Sequence, residues 1–207
     1  VLVDWKDYAV KQKDGSVELF DMVPSKADFD KRMQGSGVNR DSLVVISHSG
    51  ADINEVAAAT RLYWTLKYFG HDNLALLDGG VGKWAAEKRD IEYGRSKATA
   101  GNWKAGEERP DLIATLDEVE RASASGDAQI LDIRTPDFYL GLTSKADKVA
   151  RKGHVPGAKN LPFLVLVKGG DKGATFYSGD DLKRVTTELG IDPAKPAITH
   201  CNTGYLA

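Results

Sequence analysis

The sequence predicts an α/β protein of two domains, each a mainly parallel sheet flanked by helices. Three observations predict this: short β-branched runs alternate with stretches of helical period, a set of residues recurs at a fixed offset, and a polar segment parts the two halves.

In the first half, Leu43-Val44-Val45-Ile46-Ser47 is a β-branched run of strand length. Val56, Ala59, Leu62, Leu66 and Phe69 then recur at steps of three and four, one face of a helix. Gly70 stands where a helix end favours glycine. Leu74-Ala75-Leu76-Leu77 reads as a second strand, ended by Asp78-Gly79-Gly80, and residues 81–88 as a short helix containing Trp84. Residues 93–110 are rich in Gly, Lys, Glu and Ala without an apolar period and read as a linker. The expected division is a domain over 1–95, a linker over 96–111 and a domain over 112–207. Thr115 with Glu118 three residues on has the spacing of a capping box, which predicts a helix there. Gln129-Ile130-Leu131-Asp132-Ile133 is the next strand.

The repeat has an offset of 153, the separation of Ser25 from Ser178. Ser25, Asp28, Phe29, Lys31, Gly37 and Val38 match Ser178, Asp181, Leu182, Arg184, Gly190 and Ile191 without a gap. Each copy predicts a helix ending at glycine with a strand shortly after, as in a duplicated domain. At this offset His48 occupies the position of Cys201.

Composition excludes several classes. The 207 residues carry a net charge of −2, which implies no general affinity for nucleic acid or anionic membrane. The longest apolar runs, residues 43–47 and 161–167, fall short of the roughly 18–20 residues that span a bilayer. The single cysteine excludes an intrachain disulfide, and one Cys with four scattered His lacks zinc-ligand pairing. No metal and no cofactor is expected.

Cys201 follows the short strand Ala197-Ile198-Thr199-His200 and precedes Asn202-Thr203-Gly204. A strand ending in a small, glycine-containing loop turns backbone N–H groups inward and forms a nest for an anion. A helix after it would add positive potential, and both effects favour the thiolate nucleophile. An inert buried cysteine is the alternative reading. His200 precedes Cys201 on the strand, so the two side chains point to opposite faces and His200 is a poor base for it. A cysteine–histidine protease would need His48, His71 or His154, none of which has a supporting motif. Asp132 and Arg134 point the same way at period two, either as an ion pair or towards a site at the sheet edge. Gly153-His154-Val155-Pro156-Gly157-Ala158 reads as a shaped turn, preceded by the basic cluster Lys145, Lys148, Arg151 and Lys152. A cysteine-loop phosphatase needs an arginine six residues after the cysteine, and position 207 is Ala.

Taken together, Asp132-Ile133-Arg134, the 153–158 turn and Cys201-Asn202-Thr203-Gly204-Tyr205-Leu206 resemble the rhodanese superfamily. The first half resembles the non-catalytic domain of its tandem members through Arg61, Trp64, Gly70-His71, Leu77-Asp78-Gly79-Gly80 and Trp84. The resemblance implies transfer of a sulfane sulfur from a small donor, such as thiosulfate or 3-mercaptopyruvate, to cyanide or a thiol. It makes Cys201 the nucleophile, with the amides of Asn202, Thr203, Gly204, Tyr205 and Leu206 cradling a persulfide. Asp132 and Arg134 would support the site, and His48 would mark the silent domain. The alternative is a catalytically weak binding or regulatory module on the same fold. Thiosulfate-type members carry cations in the loop, where this chain has Asn202 and Thr203, and an arginine where it has Phe138; the basic cluster is the expected substitute. Against the family the chain reads as shortened at both ends. Low activity is therefore expected of it alone, with a second chain completing the fold as a partner. The uncharged loop resembles that of exported bacterial members and points to the periplasm, with the cytoplasm as the alternative.

Overall fold

The computed structural model describes residues 3–94, 97–145, 151–169 and 173–207. Two compact units form, one of Val1–Leu112 with Gly170–Ala174 and one of Ile113–Gly169 with Thr175–Ala207.

The first unit contains an antiparallel hairpin, β1 (Val10–Asp14) and β2 (Val17–Met22), then α1 (Lys26–Gly35), β3 (Val44–Ile46), α2 (Ile53–Tyr68), β4 (Leu74–Leu76) and α3 (Gly80–Ala86). Strands β3 and β4 pair in parallel, as a helical crossover requires, with Val44 opposite Leu74 and Ile46 opposite Leu76. The hairpin was not expected, because β1 is polar and mostly exposed and announces no buried run. Along α2, Val56, Ala59, Leu62 and Leu66 are buried, so the apolar stripe faces the core. Phe29 is fully buried, stacked on Phe69 at 4.9 Å and edge-on to Trp103 at 5.4 Å.

Trp103 lies in the stretch expected to be a linker, and that expectation needs correcting. Trp103 is 1% exposed, and its Nε1–H donates to His71 Nδ1 at 3.3 Å. The backbone around it is tied down too: Gly101 N donates to Gln34 O, Trp103 N to Val38 O and Gly106 N to Phe69 O. The segment is a strap on the first unit. One large aromatic and backbone hydrogen bonds hold it, which leaves no apolar period to read.

The second unit contains α4 (Leu116–Ser125), β5 (Gln129–Asp132), α5 (Pro136–Tyr139), β6 (Lys159–Asn160), an antiparallel pair β7 (Val167–Lys168) and β8 (Thr175–Phe176), α6 (Gly179–Glu188) and β9 (Ala197–His200). The order β6-β5-β9 is parallel throughout. Thr115 caps α4 through the full capping box. The apolar run 161–167 is mostly a 3-10 turn at Phe163–Val165, entered from Pro162.

The repeat holds bond for bond. Ser25 Oγ accepts from Asp28 N at 3.2 Å, and Ser178 Oγ accepts from Asp181 N at 3.1 Å. At the other end Gly37 and Gly190 have φ of 77° and 63°, the left-handed conformation glycine adopts without strain. There Val38 N donates to Met33 O and Ile191 N to Thr186 O, the same terminal bond 153 residues apart. No helix among the described residues is long and apolar enough to cross a membrane.

Candidate functional site

Parallel strands gather side chains at their C-terminal ends, where α/β folds place ligands. Here Asp132 ends β5, Asn160 ends β6, and Cys201 directly follows β9. Register pairs Asp132 with His200, so these two share one face of the sheet. His200 Nε2 lies 3.7 Å from Asp132 Oδ2. The histidine therefore faces the carboxylate and is not turned towards Cys201 as a base.

Asp132 is fully buried and Arg134 is 8% exposed, and they pair. Asp132 Oδ1 accepts from Arg134 N at 3.0 Å and from Nε at 2.9 Å, and Oδ2 accepts from Nη2. Arg134 forms the expected ion pair, and its guanidinium also reaches the loop. Nη1 donates to Asn202 Oδ1 at 3.3 Å, and Nη2 to Gly153 O at 2.8 Å. One cation thus joins the end of β5, the 153–158 turn and the residue after Cys201. Burial pushes the Asp132 carboxyl up, but the Arg134 hydrogen bonds outweigh it and hold the group below its ordinary value. Burial lowers the pKa of His200 below that of a free imidazole, against the opposing pull of Asp132. A neutral imidazole thus stands behind an ionised carboxylate.

Cys201 is partly exposed and unpaired with any other cysteine. Gly204 N donates to its Sγ at 3.1 Å. Gly204 has φ +78°, the left-handed conformation that favours a residue without Cβ. Gly204 is one of the five residues whose amides were expected to form the cradle. Asn202 contributes its side chain to Arg134.

Sequence reasoning missed Asn160. Its Nδ2 donates to Asp132 O at 2.9 Å and to Arg134 O at 2.8 Å, clamping the turn that presents Arg134. No pattern marks it, since its role depends on β6 lying beside β5. Tyr139 was missed as well. It stacks on His154 at 3.8 Å, and its hydroxyl donates to Ala158 O. The 153–158 turn is thus braced by aromatic and hydrogen-bond contacts, in keeping with a shaping role. Of the basic cluster, Lys145, Arg151 and Lys152 are exposed, and Lys148 lies outside the described residues.

The family model of the rhodanese-like domain matches residues 115–207. A Saccharopolyspora erythraea protein assigned as a thiosulfate sulfurtransferase is 32% identical, over 99% of this chain and 69% of its own length. The chain belongs to the rhodanese family. The Escherichia coli 3-mercaptopyruvate sulfurtransferase is 28% identical over 90% of this chain and 63% of its own. The crystal structure of SseA from Escherichia coli, a 3-mercaptopyruvate sulfotransferase with the rhodanese fold, superposes with a TM-score of 0.78. It covers 98% of this chain and 71% of that one, at 27% identity. The chain thus spans about two thirds of the length of these relatives. Sulfur transfer is the reaction class that the rhodanese relatives share by name.

Proposed function

We propose that this chain moves a sulfane sulfur from a small donor to a thiophilic acceptor through a persulfide on Cys201. The observation that carries the reading is the Gly204 amide directed at a partly exposed Cys201 Sγ, 3.1 Å away. An amide in that position stabilises the thiolate and then the persulfide anion.

With thiosulfate, the Cys201 thiolate attacks the outer sulfur. A new S–S bond forms, the old one breaks, and sulfite departs with its electron pair. Cyanide or a thiolate then attacks the terminal sulfur of the persulfide, and the Cys201 thiolate returns. Two displacements restore the enzyme without an external oxidant or reductant. In the proposed division of roles, Cys201 is the nucleophile and the loop amides from Asn202 to Leu206 form the cradle. Asp132 and Arg134 hold the loop, the arginine adding a fixed positive charge near the sulfur. Thiosulfate and a mercapto acid are the donor classes named for the relatives. In this reading the exposed cations Lys145, Arg151 and Lys152 draw such anions.

Mass spectrometry tests this directly. After thiosulfate treatment the chain should gain one sulfur, about 32 Da, which cyanide removes. Cys201→Ser should gain nothing. If the wild-type chain stays at its starting mass, or the serine variant gains the sulfur, the reading fails.

A further inference from the structure

We infer that Ser49 and Glu55 silence the first unit's counterpart of the Cys201 loop by occupying its amides, so that position 48 could not hold sulfur even with a thiol there. The inference rests on the reading of Cys201 as a sulfur carrier.

The two loops align through the offset of 153 that also aligns their helix caps, with His48 at the place of Cys201, Ser49 at that of Asn202 and Ala51 at that of Gly204. In the second loop, the third amide after the cysteine, Gly204 N, donates to Sγ. In the first loop the amide at the same place, Ala51 N, donates to Ser49 Oγ at 3.1 Å. The first amide after His48, that of Ser49, donates to Glu55 Oε2 at 3.4 Å. Two amides are therefore spent on the loop's own side chains. One of those side chains is a carboxylate, the charge that most opposes a thiolate or persulfide beside it.

The loop is otherwise well formed. The carbonyls of His48 and Ser49 accept from Val81 N and Gly82 N at 2.8 and 3.0 Å, which fixes it against the start of α3. Ser49, Ala51 and Glu55 are exposed, so solvent reaches the loop around the buried His48. Asn202 corresponds to Ser49 but sends its side chain to Arg134 instead. The left-handed glycine also stands one place apart, Gly50 in the first loop and Gly204 in the second, where Ala51 and Gly204 are the aligned pair. An amide lies on sulfur in one loop, and the aligned amide lies on the loop's own hydroxyl in the other.

The test places Cys201→Ser in every variant, so that any introduced thiol is the single thiol of the chain. His48→Cys alone is expected to take up no sulfur from thiosulfate. His48→Cys with Ser49→Ala and Glu55→Ala is expected to gain about 32 Da, lost on adding cyanide, and to react with iodoacetamide at pH 7 roughly fivefold faster than His48→Cys alone. Thermal unfolding checks that each variant is folded. The two intermediate variants, H48C/S49A and H48C/E55A, should fall between these limits and stand in if the triple variant does not fold. Equal loading and alkylation of the single and triple variants would overturn the inference, as would a folded triple variant that shows neither gain. The wild-type chain, loaded in parallel at Cys201, tests the transferase reading separately. Should it fail to load, the alkylation rates still decide whether Ser49 and Glu55 suppress a thiolate at position 48.

Discussion

The helices that precede the two loops, α1 and α6, are both ten residues long. Each has a serine cap whose hydroxyl also donates to the aspartate three residues on, at 2.6 Å in one copy and 2.7 Å in the other. The loops that follow the next strands diverge. The second carries a thiol under an amide and is tied through Asn202 to a buried ion pair. The first carries a buried histidine, with nearby amides taken by a hydroxyl and a carboxylate. The framework is therefore kept by main-chain bonds and short polar caps that tolerate wide sequence change. Chemistry is decided by which side chain claims a few loop amides.

That contrast can be broken at its strongest point first. Cys201→Ser should lower thiosulfate–cyanide sulfur transfer by on the order of 10³-fold, measured as thiocyanate formation, with secondary structure unchanged. His48→Ala should leave the same rate within about twofold of wild type if the first loop takes no part in catalysis. Next in size, Asp132→Ala leaves the Arg134 guanidinium buried without its anion. It should cost about 3–5 kcal/mol in urea unfolding, and a double replacement of both residues by apolar ones should cost less.

The pH dependence is smaller and shared by both halves. Burial lowers the pKa of His48 and of His200, so each binds a proton more readily when unfolded. Their contribution to stability is present above about pH 6.5 and is lost as pH falls below it. Each group contributes at most about 1.4 kcal/mol per pH unit over that range. Asp132, held low, adds loss of the same sign below about pH 3.9. His200→Gln should flatten the slope between pH 7 and 5, and an unchanged slope would remove His200 from the account. Smallest, Ser25→Ala and Ser178→Ala should each cost about 1 kcal/mol, and unequal costs would show that the two caps are not equivalent.

Much of the site was legible because it rests on local pattern. Asp132 and Arg134 meet through the period of a strand, and Cys201 stands where a strand passes into a glycine loop. The helix ends were legible for the same reason, since Ser25, Thr115 and Ser178 cap within three residues of themselves. What was hidden depends on partners distant in sequence. Asn160 reaches the Asp132–Arg134 turn across neighbouring strands, and Trp103 finds His71 from an otherwise polar segment. The occupation of the first loop by Glu55 was hidden too, because its carboxylate folds back from the first turn of α2. The antiparallel hairpins were missed because their strands are short or polar and bury little.

Of two loops aligned at an offset of 153 residues, only the one at Cys201 is proposed to carry sulfur. The direct measurement is the amount of cyanide-releasable sulfur per chain after labelled thiosulfate, with the labelled peptide located by mass mapping. One sulfur per chain, confined to the peptide containing Cys201, is the predicted result. A chain that binds none, or that keeps its label after Cys201→Ser, would contradict it.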